Sequence, residues 1–417
     1  MSASSSQPMV GHHAAGGDDG HDLSKPWVIE RLSNFKLTHW AEKFSYLLLA
    51  IGALTVLAGL VLNPPLFWAS LLLVSFMLIS LALAGAFMMA AQYLTSAGWS
   101  IVLRRISEGF IALLIPGLIG IAAVMLFRPS LYPWIAEAAA GHGLEGFKGF
   151  WLDHANWLIR AAIYATIWIV FSFALRRNSR LQDRDGKLVY TRRNVVLSAL
   201  FIITFALSYW LASVDWLMSL EPHWFSTMYG VYNFSGLMTT GVAVTIIVAV
   251  VLRNQGALKG FVSDDHLHDL GKMLLTFTTF WAYIWFSEYM LIWYANIPEE
   301  AEHFVVRTQG LWLPLFYLNV ALNWVIPFLA LLPRAGKRDG SFLVKIAGVV
   351  LLGRFLDMYL LIIPTVSPET PFAGFAPLGM MVAAIGLFIL VFGRALGQAS
   401  LLPLKDPYLD ESLHHHV

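Results

Sequence analysis

HLHDLGKMLLTFTTFWAYIWFSEYMLIWYANIPEEAE, residues 266–302, is an apolar and aromatic run with acid and histidine at one end and proline and acids at the other. It is long enough for a membrane helix, which needs about 20 apolar residues. One carboxylate, Glu288, stands well inside it. At about 1.5 Å per residue, Glu288 lies about 9 Å from the outer end. A charge at that depth is costly in lipid and implies an interior position with a partner or water. The rest of the chain reads as two similar groups of helices meeting around this one.

Working outward, 58% of the 417 residues are hydrophobic and 13% are charged, against about 25% charged in a soluble domain. Repeated long apolar runs make the chain an all-α, polytopic membrane protein. Ten transmembrane helices are expected, at 44–62, 67–94, 106–127, 150–175, 194–219, 229–252, 270–294, 310–332, 342–363 and 377–396. Pro116 is expected to kink the third, and Pro314 and Pro327 fall inside the eighth. Residues 27–42 are amphipathic and basic, which suits a segment lying on the membrane surface. Residues 1–23 are polar and rich in Gly and His, are expected to be disordered, and lack the pattern of a cleaved signal peptide.

Asp215 is followed seven residues later by Pro222, and Asp357 by Pro364. Read as a parallel repeat, this divides the chain into a tail and interfacial segment (1–43), a peripheral helix (44–66), two four-helix bundles (67–220 and 221–364), and a second peripheral helix with a polar tail (365–417). Ten crossings put both termini on one side. With that side cytoplasmic, every Lys and Arg except Arg128, Lys148, Arg160, Arg307 and Arg354 falls in a cytoplasmic segment, the positive-inside bias.

Polar groups within or at the ends of spans concentrate in the outer half: Asp153, His154 and Arg160; Asp215, Glu221 and His223; Glu288; Arg354 and Asp357. Arg354 and Asp357 are three apart and share a helix face. Two readings stand. Either they form an inert salt bridge, or Arg354 holds one or more of Asp215, Glu288 and Asp357 ionised beside water, as a proton path or a quinol-facing carboxylate. His154, Asp153 and Arg160 would form the outer mouth, provided neighbouring helices close it. On the inner half, Glu108 is expected to pair with Arg104 and Arg105. Asn319 and Asn323 face one way and either extend a water path or join helices. His268 and Asp269, with Asp264, Asp265 and His266, are either capping groups or a proton-collecting mouth.

Several chemistries are excluded. The chain has no cysteine, so disulfides, thiolate catalysis, covalent haem and Cys-ligated iron–sulfur clusters are ruled out. No histidine stands in mid-span, which argues against a bis-histidine haem, and no spacing names a metal site or a catalytic residue. The net charge of +1 by itself says nothing about partners; no nucleic-acid partner is expected of a chain read as membrane-embedded. The aromatics of 276–296 either line a quinone slot or serve packing and interface anchoring. The connection at 219–236, SLEPHWFSTMYGVYNFSG, is expected to cap a cavity or receive a partner.

DWLMSLEPHWFSTMYGVYNF at 215–234, DLGKMLLTFTTFWAYIWFSEYMLIWYANIPEE at 269–300 and LKDPYLDESLHHHV at 404–417 resemble the second of the two NrfD-like membrane subunits of alternative complex III, a quinol:cytochrome c oxidoreductase. The resemblance covers essentially the whole chain. It implies two four-helix bundles with two peripheral helices, in a bacterial inner membrane. It implies no cofactor in this chain, with haem c and iron–sulfur clusters in separate subunits and menaquinol or ubiquinol as the substrate of the complex. The implied partners are a quinol-binding NrfD-like sister subunit, multihaem and monohaem cytochrome c subunits, an iron–sulfur subunit, small membrane subunits and lipids. This chain would be a scaffold, with buried carboxylates as a proton route. A different class of function, a stand-alone proton-coupled secondary transporter, would suit the repeat and the proline-broken helices.

Overall fold

The computed structural model describes residues 23, 25–33, 35–141 and 143–416. The expected disordered tail therefore lies, Leu23 apart, outside the described residues. Those described are all-α, with no strand. A surface helix α1 (Pro26–Ser33) is followed by α2 (His39–Leu62), α3 (Pro64–Thr95), α4 (Gly98–Phe127), α5 (His154–Asp185), α6 (Val189–Trp216) and α7 (Tyr229–Asn254). Then come α8 (Asp264–Ala295), a short α9 (Pro298–Arg307), α10 (Trp312–Leu331), α11 (Gly340–Ile362) and α12 (Ala376–Leu396). Nine helices among the described residues are long and apolar enough to cross a membrane, so the chain is a multi-pass membrane protein. The helix α8 is as long as the longest of them, at 32 residues, but Trp, Tyr, Lys272 and Glu288 lower its apolar content.

Helix ends follow local chemistry. Thr38 caps α2, accepting from the Ala41 N–H. Asn63 caps α3, with proline at the first turn. The basic stretch 176–193, left between the fourth and fifth expected spans, is mostly helix, because leaving the hydrocarbon does not end a helix whose Arg, Leu and Gln residues favour one. What ends α5 is Gly186, at φ 68, a left-handed position that glycine adopts without strain. The third span begins earlier than expected, through a 3₁₀ segment Gly98–Leu103. The surface segment 27–42 is not one helix, since residues 35–38 between α1 and α2 are not helical. In α10 a π-helical turn, Ala321–Val325, precedes Pro327, which has no N–H to give to the turn before it.

Packing sorts the long helices. α3 packs on α4 and α6, and α5 on α6; α7 packs on α8 and α11, and α10 on α11. α3 and α7 touch each other at the centre; 83% and 89% of their apolar windows are buried, against 11% for α2. Both central helices carry small residues where they meet neighbours: a Cβ on Gly241 of α7 would lie 2.5 Å from Ala84 Cβ of α3, and one on Gly85 would lie 2.3 Å from the Ser107 carbonyl oxygen. Lipid gives no hydrophobic drive between helices, so close backbone approach and van der Waals contact supply the attraction.

α2 and α12 pair with each other along a seam of small residues spaced by seven: Ser45, Gly52 and Gly59 on α2, and Gly379, Gly386 and Gly393 on α12. The pair runs antiparallel, with Gly52 against Ala383, Gly59 against Ala376 and Gly386 against Ser45. A Cβ on Gly52 would stand 2.2 Å from Ala383 Cβ, whereas one on Gly348 meets nothing. Gly52→Leu is expected to destabilise the pair by at least about 1–3 kcal/mol, and Gly348→Leu to leave the midpoint unlowered. Thermal unfolding of the two purified variants checks this.

Candidate functional site

Two buried carboxylates sit in comparable places, Asp215 at the C-terminal end of α6 and Asp357 in the C-terminal half of α11. Asp215 is fully buried. Arg160 of α5 binds it in a fork, Nε to Oδ2 at 2.8 Å and Nη2 to Oδ1 at 3.0 Å. Tyr164 donates to Oδ2 at 3.0 Å and Trp151 Nε1 to Oδ1 at 2.8 Å. The Trp151 ring also lies against the Arg160 guanidinium, 4.0 Å from its centroid. An ionised carboxylate accepts about four hydrogen bonds, so Asp215 is saturated. It pins α5 to α6.

Asp357 is also buried. It pairs with Arg354 at 2.6 Å, and accepts from Asn319 at 2.9 Å and from the Tyr232 hydroxyl. Asn323 donates to the Asn319 side-chain oxygen at 2.7 Å, which carries the row into the π turn of α10. Arg354 fits because residue 236 is glycine: a Cβ there would be 2.0 Å from Arg354 Nη2. The buried Arg354 Nε has no partner, and the guanidinium borders a cavity of about 10 Å³ with Ser80, Asn233 and Thr240, space for about one water. Glu288 is 7% exposed. It forms no ion pair among the described residues, and its Oε1 is buried without a donor.

Of the three acids expected near Arg354, Asp357 is the one it pairs with. Arg354 serves Asp357; Asp215 belongs to Arg160, because α5 rather than α11 faces that end of α6. Asp153 and His154 are exposed. Asp153 caps α5 by accepting from the Ala155 and Asn156 N–H groups, so neither joins Arg160 in a closed mouth.

At the basic end, Glu108 accepts from Arg105 and from Ser179, while Arg105 also reaches Asp183. Arg104 does not pair with Glu108 as expected. Its partner is Asp406 of the C-terminal tail, and it stacks 4.4 Å from the Tyr93 ring centroid. The tail is docked: Ser412 donates to the Trp99 carbonyl at 2.7 Å, and His415 contacts Asp269 at 2.7 Å. Asp269 also pairs with Lys272 at 2.5 Å. His266 completes a capping box with Ser263, while His268 is buried with Nδ1 unpartnered.

A third cluster lies outside the spans, where Glu221, singled out from the sequence, meets Arg307 and His303, a pairing that the sequence did not indicate. Glu221 receives Arg307 at 2.7 Å and His303 at 2.7 Å. Arg307 also donates to the Leu360 carbonyl at 2.7 Å, and Trp224 stacks on His303 at 4.0 Å. Burial alone would raise the Glu221 carboxyl, but Arg307 and His303 outweigh it and hold it well below the usual range. Burial, then Arg307, hold the His303 imidazole below its ordinary value despite Glu221. The 219–236 connection also borders a cavity of about 430 Å³ with Trp151, Trp210 and Lys148. Among the described residues no group of three or more His, Asp or Glu is placed to hold a metal ion. No protein-family model matches this chain, and no curated protein sequence matches it.

Two outcomes follow. Asp215→Ala leaves the partly buried Arg160 guanidinium unpaired and is expected to cost about 3 kcal/mol, whereas Glu288→Gln, which breaks no ion pair, is expected to cost about 1 kcal/mol or less; thermal unfolding in detergent compares them. Glu221 has a depressed folded value, so its stabilisation is present above the unfolded carboxylate value of about 4.3 and is lost as pH falls through the folded one. Below about pH 4.3 the parent protein is expected to lose stability more steeply than Glu221→Gln, measured as midpoint against pH.

Proposed function

We propose that this chain is the second NrfD-like membrane subunit of alternative complex III, a quinol:cytochrome c oxidoreductase of a bacterial inner membrane. The three stretches quoted above are the ground for the family. The helix packing is in keeping with it: α3–α6 make one group of four, α7, α8, α10 and α11 a second, and α2 and α12 lie outside as a pair. In this reading α8 is the tenth crossing. Its 32 residues span about 48 Å, its Trp and Tyr suit the interfaces, and Glu288 faces inward. Both termini then lie in the cytoplasm, with the basic helix ends.

Menaquinol or ubiquinol is oxidised on the sister subunit, and electrons pass to haem c and iron–sulfur clusters in partner chains. Quinol oxidation also releases protons, and handling these is the chemistry assigned here to this chain besides scaffolding. The observation that carries it is the contrast between carboxylates. Asp215 and Asp357 are held by guanidinium and other donors, whereas Glu288 has one buried oxygen that no donor fills. A carboxyl group with an open oxygen takes up and gives back a proton without breaking an ion pair. Asp357, with Arg354, Tyr232 and Asn319, is a fixed charge in the same helix group, and the docked tail residue His415 with Asp269 lies at the cytoplasmic mouth.

The chain is expected to co-purify with haem-bearing subunits. In the assembled complex, Glu288→Gln is expected to lower quinol turnover or coupled proton movement at least about fivefold, equivalent to about 1 kcal/mol of barrier. Unchanged turnover and unchanged proton movement in a Glu288→Gln/Asp357→Asn complex would leave scaffolding alone. The π turn of α10, a feature common at functional sites, favours a second reading as a secondary transporter. Isolation of an intact single chain that drives solute uptake in proteoliposomes would select that one.

A further inference from the structure

α5 continues past its apolar part with Arg176, Arg177, Arg180 and Arg184. Residues 176, 180 and 184 succeed one another at four-residue steps, so they stack on one face, where like charges repel. All four arginines border one cavity of about 500 Å³, together with Phe173, Leu181 and Gln398. No carboxylate among the described residues borders it. That is unlike the adjacent arginines, since Arg104 has Asp406 and Arg105 has Glu108 and Asp183.

Arg176 is only 7% exposed and has no ion pair among the described residues. Its partner is the neutral Gln398 Oε1 at 3.0 Å, which also accepts from Arg180 at 3.0 Å. Arg180 adds the Ala395 carbonyl at 3.3 Å, and its Nε is 3.9 Å from Glu108. The Nε groups of Arg176 and Arg180 are both buried without a hydrogen-bond partner. A cavity lined by four guanidinium groups, two of them incompletely bonded, is complementary to an anion with several acceptor oxygens. Guanidinium groups match phosphate oxygens in fork geometry.

The position fixes the source of that anion. Phe173 and Val170, one and two turns before Arg177, are 37% and 58% exposed, so the cavity opens where the apolar flank of α5 gives way to its basic end. Acyl chains would lie along that flank and a phosphodiester among the arginines, as basic pockets at the ends of membrane helices bind anionic lipid head groups. We propose that this cavity is a site for an anionic phospholipid of the leaflet at the basic helix ends. The site requires only that the chain be a membrane protein, not that it serve quinol oxidation.

The test uses the full-length chain purified in detergent, with phosphatidylglycerol, cardiolipin, phosphatidylcholine or inorganic phosphate added, read by native mass spectrometry and thermal unfolding. The anionic lipids are expected to be retained at least about tenfold over phosphatidylcholine and to raise the midpoint. Each arginine at such a surface contributes about 1 kcal/mol, so exposed Arg177→Gln/Arg184→Gln is expected to weaken retention by roughly tenfold or more. Arg192→Gln/Arg193→Gln, an equal loss of charge outside the cavity, should change it less than about twofold. Gln398→Glu puts a carboxylate beside Arg176 and Arg180; it should abolish the preference for anionic lipid while raising stability without lipid. The proposal is overturned if the two double variants bind alike, if inorganic phosphate alone reproduces the stabilisation, or if Gln398→Glu keeps the preference.

Discussion

Buried guanidinium groups need carboxylates, and in this protein that need decides which elements are tied together. Arg160–Asp215 joins α5 to α6. Arg105 joins α4 to the end of α5 through Asp183, and Arg104 takes its acid from the C-terminal tail. Arg307 of α9 fastens the connection after α6 through Glu221, and α11 through the Leu360 carbonyl. Apolar side chains give these helices little preference among neighbours in lipid. An unpaired buried charge costs several kcal/mol, so the ion pairs supply the specificity that hydrophobic packing lacks.

Close packing and charge pairing depend on each other. The Arg354 guanidinium occupies space that any side chain at residue 236 would fill, and Tyr232 on the same helix donates to its partner, Asp357. One helix, α7, therefore supplies both the gap and a donor. The seven-residue spacing of glycines on α2 and α12 acts in the same way without charge, since those two helices touch through backbone and small side chains.

Within this framework several buried polar atoms have no hydrogen-bond partner, the Nε groups of the ion-paired Arg104, Arg105 and Arg354 among them. Glu288 keeps an oxygen without a donor, His268 a nitrogen without a partner, and Arg176 and Arg180 a nitrogen each. They lie in different places: inside α8, at its first turns, and at the basic end of α5. A carboxyl oxygen left open is suited to a proton, while guanidinium nitrogens left open are suited to a phosphate.

The residue order alone determined that the chain is all-α and multi-pass, because a run of about 20 apolar residues satisfies its backbone internally wherever it lies. It also determined pairings within one helix face, Arg354 with Asp357 and Arg105 with Glu108, because residues three apart are neighbours on any α-helix. It was less able to place helix ends: the basic stretch left between two expected spans continues α5, since polar residues outside the hydrocarbon favour helix as readily as coil. Only the tertiary structure decided that Arg160 serves Asp215, that Asp406 reaches Arg104 across 302 positions, and that Glu288 is left with an open oxygen. Partners on different helices depend on each helix's rotation and depth against its neighbours, which residue spacing along one chain does not encode.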